Sequence, residues 1–241
     1  MQHTHRLSYL AGHMFIDLPE GRFLVDTGSP VSFGDTGTAS YGGEGHPIPR
    51  DAGGVDLGSI SALDLDARIG QRLRGLIGMD LLGRESVLWD GPRGRAIVRP
   101  PAPPVEAPSV RIDAGELAVF AAGVPVVEAR FGGRPMRFIF DTGAQYGYVT
   151  DEDMLALGDD AGPFDDFHPV LGAISSCSTK IRLELVASDD ARVRIRERFG
   201  FDATLASLVL RPLGVAGIIG CSWLSARQVW LLPSESRMAI A

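Results

Sequence analysis

Three aspartates in this chain are each followed by threonine and glycine, a setting in which a carboxylate can act as an acid or a base. They are Asp26, Asp35 and Asp141. Apolar residues 23–25 precede Asp26 and apolar residues 138–140 precede Asp141, so each is expected at the end of a buried strand. Asp35 lacks such a run and is predicted to lie in a surface turn. Two carboxylates brought together can supply the base and the acid of a hydrolytic reaction.

The elements around Asp26 and Asp141 are repeated. Residues 22–28 align with residues 137–143, and a turn between two apolar runs precedes each, which predicts a β-hairpin. Residues 74–90 align with residues 216–232 without gaps. Each half is therefore expected to contain a hairpin, the Asp-Thr-Gly turn, a variable middle, an apolar run ending in glycine, a short helix and a final strand. Such a duplication predicts two halves related by a pseudo-twofold axis.

A proline-rich segment separates the two copies. The five prolines within residues 99–108 favour an extended conformation and exclude a regular helix or a central strand. We therefore divide the chain into an N-terminal lobe at residues 1–98, a linker at residues 99–109 and a C-terminal lobe at residues 110–241.

The composition favours a β-rich protein and argues against several partners. Among 241 residues there are 30 glycines and 16 prolines, and long runs of helix-forming residues are scarce, so we predict an all-β, turn-rich fold. The formal net charge of -7 argues against a nucleic-acid partner. No apolar run is long enough to predict a membrane span, so no membrane partner is expected.

Cysteine and histidine usage favours a reduced protein without a metal. The amino terminus does not have the pattern of a secretion signal, and Cys177 and Cys221 are too few for a disulfide framework. A cytoplasmic protein is therefore expected, with one Cys177–Cys221 bridge as the alternative. Cys177 is expected to be a buried, inert thiol, with a redox-sensitive thiol as the alternative. The five histidines do not cluster, so no metal site and no cofactor are predicted.

With two Asp-Thr-Gly turns in repeat register, each followed by an apolar run that ends in Gly78 or Gly220, the chain resembles the aspartic peptidases. An apolar strand ending in Asp-Thr-Gly and a later apolar-apolar-glycine segment in the same lobe are the hallmark of that family. The short halves are more similar to retropepsins than to the larger lobes of pepsin. The resemblance implies a bilobal fold of two retropepsin-like lobes, in which Gly78 and Gly220 pack beneath the catalytic loops.

The resemblance also implies that Asp26 and Asp141 form a catalytic pair. Two carboxylates about 3 Å apart cannot both ionise without a large cost in free energy, so the pair holds one proton. The ionised member draws a proton from a water molecule, and the protonated member polarises the scissile carbonyl.

Four neighbouring residues match supporting positions of the family. Thr27 and Thr142 stand where threonine hydroxyls link the two loops. Gly28 and Gly143 lack a Cβ atom, which permits tight turns and a close approach of the two backbones.

The two halves differ directly after this glycine, where Ser29 corresponds to Ala144. A serine hydroxyl at this position can donate to its own aspartate and favour the charged form, whereas alanine cannot. We therefore predict that Asp26 is the more readily ionised member and that Asp141 holds the proton longer.

A flap that closes over the substrate is expected from the second half only. Residues 169–186 predict a hairpin and a strand, with Gly172 at the tip and alternation over residues 180–186. The counterpart, residues 41–59, is rich in glycine and proline and is interpreted as a mobile loop or a degenerate flap. Residues 192–196 alternate arginine with apolar residues, which predicts an edge strand with a solvated basic face, or else a docking face for an acidic partner.

Together these features predict an aspartic endopeptidase that acts on a peptide or protein substrate. A monomer is expected because both catalytic loops lie in one chain, with the substrate held in an extended conformation between the lobes. A catalytically inactive peptide-binding module of the same fold is the alternative. A dimeric retropepsin-like protein with one dead half is a further alternative.

Overall fold

The computed structural model describes residues 1–10, 12–52, 61–113, 123–168, 172–187 and 191–241. Strands contain 50% of the residues and helices 17%. Apart from one short two-stranded pair, the strands belong to a single large mixed sheet. The prediction of an all-β protein is confirmed.

The first half is built from short strands. In chain order they are β1 (His3–Leu10), β2 (His13–Leu18), β3 (Gly21–Val25), β4 (Phe33–Gly34), β5 (Thr38–Tyr41), β6 (Glu44–Pro47), β7 (Gly75–Ile77), β8 (Val87–Asp90) and β9 (Arg95–Val98). The helices of this half are α1 (Ala62–Ile69) and α2 (Met79–Leu82), with a 3-10 turn at Gly91–Arg93.

The second half has longer strands in its middle. They are β10 (Ser109–Asp113), β11 (Val126–Phe131), β12 (Arg134–Phe140), β13 (Gly147–Val149), β14 (Asp159–His168), β15 (Gly172–Val186), β16 (Arg192–Phe201), β17 (Gly217–Ile219), β18 (Gln228–Leu232) and β19 (Arg237–Ile240). Helix α3 (Ala203–Leu205) continues as a π-helical turn at Ala206–Leu210. The 3-10 turns are at Glu152–Leu157, Ser222–Ala226 and Pro233–Glu235.

The two halves use the same strand pairings around their Asp-Thr-Gly turns. Strands β2 and β3 form an antiparallel hairpin, as do β11 and β12, so both predicted hairpins are confirmed. Strand β3 runs parallel to β7, and β12 runs parallel to β17. Strands β4 and β13 lie antiparallel on the other side of β7 and β17. The first Asp-Thr-Gly turn therefore lies between β3 and β4, which flank β7, and β7 leads into Gly78. The second lies between β12 and β13, which flank β17, and β17 leads into Gly220.

A symmetric antiparallel sheet joins the halves. Its strand order is β1-β9-β8-β18-β19-β10. At the centre Leu88 of β8 pairs with Trp230 of β18, and these two residues occupy equivalent positions of the repeat. The register of the joining sheet is therefore symmetric about this pair.

Aromatic side chains from both halves share one core. Phe140, the last residue of β12, is 1% exposed, and Trp89 on β8 of the other half is also 1% exposed. Their ring centroids lie 6.3 Å apart, and Phe140 also packs on Trp223 at 5.9 Å. Burial of large rings is a main source of folding free energy. The strands that lead into the two Asp-Thr-Gly turns are thus held by a core common to both halves.

The proline-rich segment packs on the face of the joining sheet that carries Leu88 and Trp230. No helix or strand occurs within residues 99–108, as predicted, whereas Ser109 already belongs to β10. The indole Nε1–H of Trp230 donates to the carbonyl oxygen of Pro101 at 3.1 Å. The segment is therefore fixed to the joining sheet at this point.

Helix α1 was not part of the sequence prediction, although a local signal for it exists. The Ser61 side chain accepts from the Asp64 N–H and the Asp64 side chain accepts from the Ser61 N–H, which makes a capping box. Gly70 ends the helix with φ of 69°, a left-handed conformation that glycine adopts easily. Leu65 buries one face of the helix against β7.

The variable middle of the second half forms a three-stranded ribbon. Strand β15 pairs with β14 on one side and with β16 on the other. Residues 180–186 alternate in burial as predicted. The hairpin begins at Asp159, earlier than predicted, and residues 169–171 lie outside the described residues. Gly172, the predicted tip, pairs with His168.

The predicted basic face of β16 is confirmed. Arg192 and Arg194 are exposed, while Val193 and Ile195 are buried. Glu184 on β15 pairs with Arg192 at 3.0 Å and with Arg194 at 3.2 Å. Carboxylates of the same sheet thus offset part of this positive charge.

Several smaller predictions can be compared with the structure. Asp35 lies in an exposed turn and pairs with Arg74 at 3.0 Å, which confirms the surface turn. Both cysteines are free thiols; Cys221 is buried, but Cys177 is exposed on β15, so the prediction that Cys177 is buried is wrong. In the first half's middle, β5 and β6 form a hairpin, and residues 53–60 lie outside the described residues. None of the helices in the described ranges combines the length and the apolar character needed to cross a membrane.

Candidate active site

The two Asp-Thr-Gly turns start from equivalent backbone positions. The Asp26 N–H donates to the Ile77 carbonyl at 3.0 Å, and the Asp141 N–H donates to the Ile219 carbonyl at 2.9 Å. Both aspartates come directly after a strand whose last residues are buried, as the apolar runs predict. Each turn is therefore tied to the strand beneath it.

The threonines link the turns to each other. The Thr27 N–H donates to Thr142 Oγ1 at 3.0 Å, and the Thr142 N–H donates to Thr27 Oγ1 at 3.0 Å. The Thr27 hydroxyl donates to the Phe140 carbonyl at 2.6 Å, and the Thr142 hydroxyl donates to the Val25 carbonyl at 2.8 Å. Both side chains are 0% exposed. These buried hydrogen bonds fix the relative position of the two loops.

The glycines allow the loops to approach closely. A Cβ atom on Gly28 would collide with the carboxyl group of Asp141. A Cβ atom on Gly143 would collide with the carboxyl group of Asp26. Each aspartate of the pair therefore packs against the glycine of the opposite turn.

The two carboxyl groups are hydrogen-bonded to each other, and both aspartates are half-buried. Burial, followed by the charge of Asp141 and this hydrogen bond, raises the pKa of Asp26 well above its usual range. The Ser29 N–H donates to Asp26 Oδ1 at 2.9 Å. Asp141 Oδ1 accepts two such bonds, from Gly143 at 2.8 Å and from Ala144 at 3.2 Å. The raised pKa of Asp26 beside a second carboxyl favours a pair that holds one proton between its two members.

The structure removes the ground for the prediction that Asp26 is the more readily ionised member. That prediction required the Ser29 hydroxyl to donate to Asp26. The hydroxyl instead donates to the Val31 carbonyl at 2.8 Å. Ser29 therefore contributes its backbone N–H to Asp26, which Ala144 can provide equally well in the other half.

Gly78 and Gly220 lie beneath the loops, but different side chains support them. The Gly78 N–H donates to Ser32 Oγ at 2.8 Å, and the Ser32 hydroxyl donates to Asp80 at 2.5 Å. Glycine occupies the position equivalent to Ser32 in the second half, at Gly147. A side chain from another element must therefore replace Ser32 there.

Glu197 of β16 takes this place. The Ser222 hydroxyl donates to Glu197 Oε1 at 3.1 Å, and the N–H groups of Gly220 and Ser222 also favour its charged form. Among the described residues Oε2 has no hydrogen-bond partner, and the residue is 2% exposed. Burial raises the pKa of Glu197 to about 8. Burial also raises the pKa of the Cys221 thiol, and the nearby carboxyl groups of Glu197 and Asp141 add to that shift. Glu197 lies in the variable middle, so the repeat offered no signal for it.

A cleft of about 510 Å³ opens at the aspartate pair. His13, which sequence reasoning left among scattered histidines, lines this cleft. Its Nδ1 lies 3.0 Å from the Gly143 carbonyl, so Nδ1 carries the hydrogen, and burial lowers the pKa of the ring. Asp165 and Asp166 of β14 line the cleft as well. The hairpin predicted to be a flap therefore forms one wall of the site.

The two carboxyl groups of Asp26 and Asp141 are the acid–base groups at the centre of the cleft. Within the described ranges, no group of three or more histidine, cysteine, aspartate or glutamate side chains is arranged to hold a metal ion. Comparison with models of known protein families finds no match, and no curated protein matches the chain.

Proposed function

We propose that the chain is an aspartic endopeptidase with Asp26 and Asp141 as its catalytic pair. The observation that carries this proposal is the meeting of the two carboxyl groups, hydrogen-bonded to each other at the floor of a cleft. The raised pKa of Asp26 supports it, because a pair that shares one proton contains both the acid and the base that hydrolysis requires.

In the proposed reaction the proton starts on Asp26. A water molecule between the carboxyls gives a proton to Asp141 as its oxygen attacks the scissile carbonyl carbon, and Asp26 gives its proton to the carbonyl oxygen. The resulting diol then breaks its C–N bond. Asp141 passes its proton to the departing amine, and a diol hydroxyl returns a proton to Asp26, which restores the starting state.

We further propose that the protein has two retropepsin-like lobes related by a pseudo-twofold axis. The repeated strand pairings and the symmetric register at Leu88 and Trp230 support this. A monomer suffices, because both loops come from one chain, and a peptide would lie extended beside the β14–β15 hairpin. A cytoplasmic location remains a prediction from the sequence.

A random peptide library incubated with the protein at pH 4 to 7 tests the activity. Asp26→Asn should lower cleavage by about 10²–10⁴-fold, because it removes one member of the acid–base pair. Asp35→Asn is the matched control, since it makes the same change in the exposed third Asp-Thr-Gly. Pepstatin should raise the melting temperature of the wild type and block cleavage.

Other outcomes would identify the alternatives. Peptides that bind but stay intact after long incubation would favour an inactive binding module. Cleavage that survives Asp141→Asn would favour a protein with one dead half.

A further inference from the structure

The cleft is chemically different at its two ends. The end formed by the first half has an apolar floor, to which Leu24, Phe33, Leu65 and Leu76 contribute. These residues are at most 4% exposed and belong to one packed cluster. Arg68 of α1 also belongs to the lining of this end.

The end formed by the second half is lined by two acidic residues. Asp165 and Asp166 of β14 line it, together with Tyr148. The Tyr148 hydroxyl donates to Asp166 Oδ2 at 2.5 Å, and the Ser175 hydroxyl donates to Asp165 Oδ1 at 2.8 Å. Both carboxylates are therefore held in place.

The repeat explains how this difference arises. Tyr148 on β13 occupies the position that Phe33 occupies on β4, since Tyr148 pairs with the central residue of β17 and Phe33 pairs with the central residue of β7. The two rings differ by one hydroxyl, and that hydroxyl is the group that binds Asp166. Tyr148 also packs on Phe164 of β14, with ring centroids 5.5 Å apart. The Tyr148 hydroxyl, which Phe33 lacks, thus adds a contact that holds Asp166 at one end of the cleft.

We propose that the cleft selects peptides with a large apolar side chain at the first-half end and a lysine or arginine at the second-half end. This inference rests on the proposed peptidase function. Because the aspartate pair lies between the two ends, the two side chains flank the scissile bond. Asp165 and Asp166 attract the basic side chain, so charge sets the direction in which the peptide binds.

The test uses two peptides that differ at one position beside the cleaved bond, lysine in one and its uncharged isostere norleucine in the other. The wild type should cleave the lysine peptide with about tenfold higher kcat/KM. The double variant Asp165→Asn, Asp166→Asn should bring this ratio close to one, and Tyr148→Phe should lower it. Asp159→Asn, on the same strand but paired with the exposed Arg196, should preserve the ratio.

A ratio near one in the wild type, or a ratio unchanged in the double variant, would overturn the inference while leaving the peptidase function in place. Binding of the same two peptides to Asp26→Asn provides a measurement that does not depend on turnover. A lysine preference in binding without any cleavage by the wild type would refute the peptidase function and retain the selectivity. No preference in binding would refute the selectivity.

Discussion

Replacing Glu197 by glutamine should change how the stability of the protein depends on pH. Glu197 is 2% exposed, and its pKa in the folded protein is about 8, against an ordinary value of 4.5. The folded state therefore keeps a proton that the unfolded state releases between these two pH values. The contribution of Glu197 to the free energy of unfolding is greatest below pH 4.5. It decreases as the pH rises and is lost at about pH 8.

The magnitude follows from the two pKa values. At about 1.4 kcal/mol for each pH unit, the difference between 4.5 and about 8 corresponds to about 5 kcal/mol. Glutamine does not titrate, so Glu197→Gln lacks this loss. Its amide lacks a partner where Oε2 lies, which costs about 1–3 kcal/mol at every pH and leaves the pH dependence unchanged. The raised pKa of Asp26 acts equally in both proteins and cancels in their difference.

The assay is urea unfolding of both proteins at several values between pH 4.5 and 8.5. Cysteine begins to ionise in the unfolded state near the upper limit, but it does so in both proteins and cancels in their difference. Stability of the wild type relative to Glu197→Gln should fall steadily over this range. Glu184→Gln is the control, because Arg194 and Arg192 hold the pKa of Glu184 below its usual value, so its effect is confined to lower pH. Parallel curves for wild type and Glu197→Gln, within about 1 kcal/mol, would refute a buried neutral Glu197.

Two further predictions concern the junction of the loops. Thr142→Val keeps the shape of the side chain but leaves the Thr27 N–H without its acceptor, so the free energy of unfolding in urea should fall by about 1–3 kcal/mol. Thr142→Ser keeps the hydroxyl and should retain most of the wild-type stability. Equal stability of the valine and serine variants would contradict the cross-link. Gly28→Ala should destabilise the protein by about 1–3 kcal/mol because the new Cβ atom collides with the Asp141 carboxyl. Gly45→Ala is the control, because a Cβ atom at that position makes only ordinary contacts. Equal urea midpoints for the two variants would argue against the close packing at Gly28.

Local sequence was sufficient to predict the elements that carry the pair. Apolar runs before Asp26 and Asp141 predicted buried strands, and short turns between apolar runs predicted both hairpins, because side-chain alternation and turn chemistry act over a few residues. The lack of an apolar run before Asp35 likewise identified the exposed copy of the motif.

Contacts between distant parts of the chain decided what these elements do together. The sequence could not show that the Ser29 hydroxyl turns to a neighbouring carbonyl, nor that Glu197 supports Gly220 in place of a serine. It also could not bring His13 to the turn of the opposite half. Such contacts depend on the register of strands far apart in the chain, and the burial that raises the pKa of Asp26 and Glu197 exists only once those strands have packed.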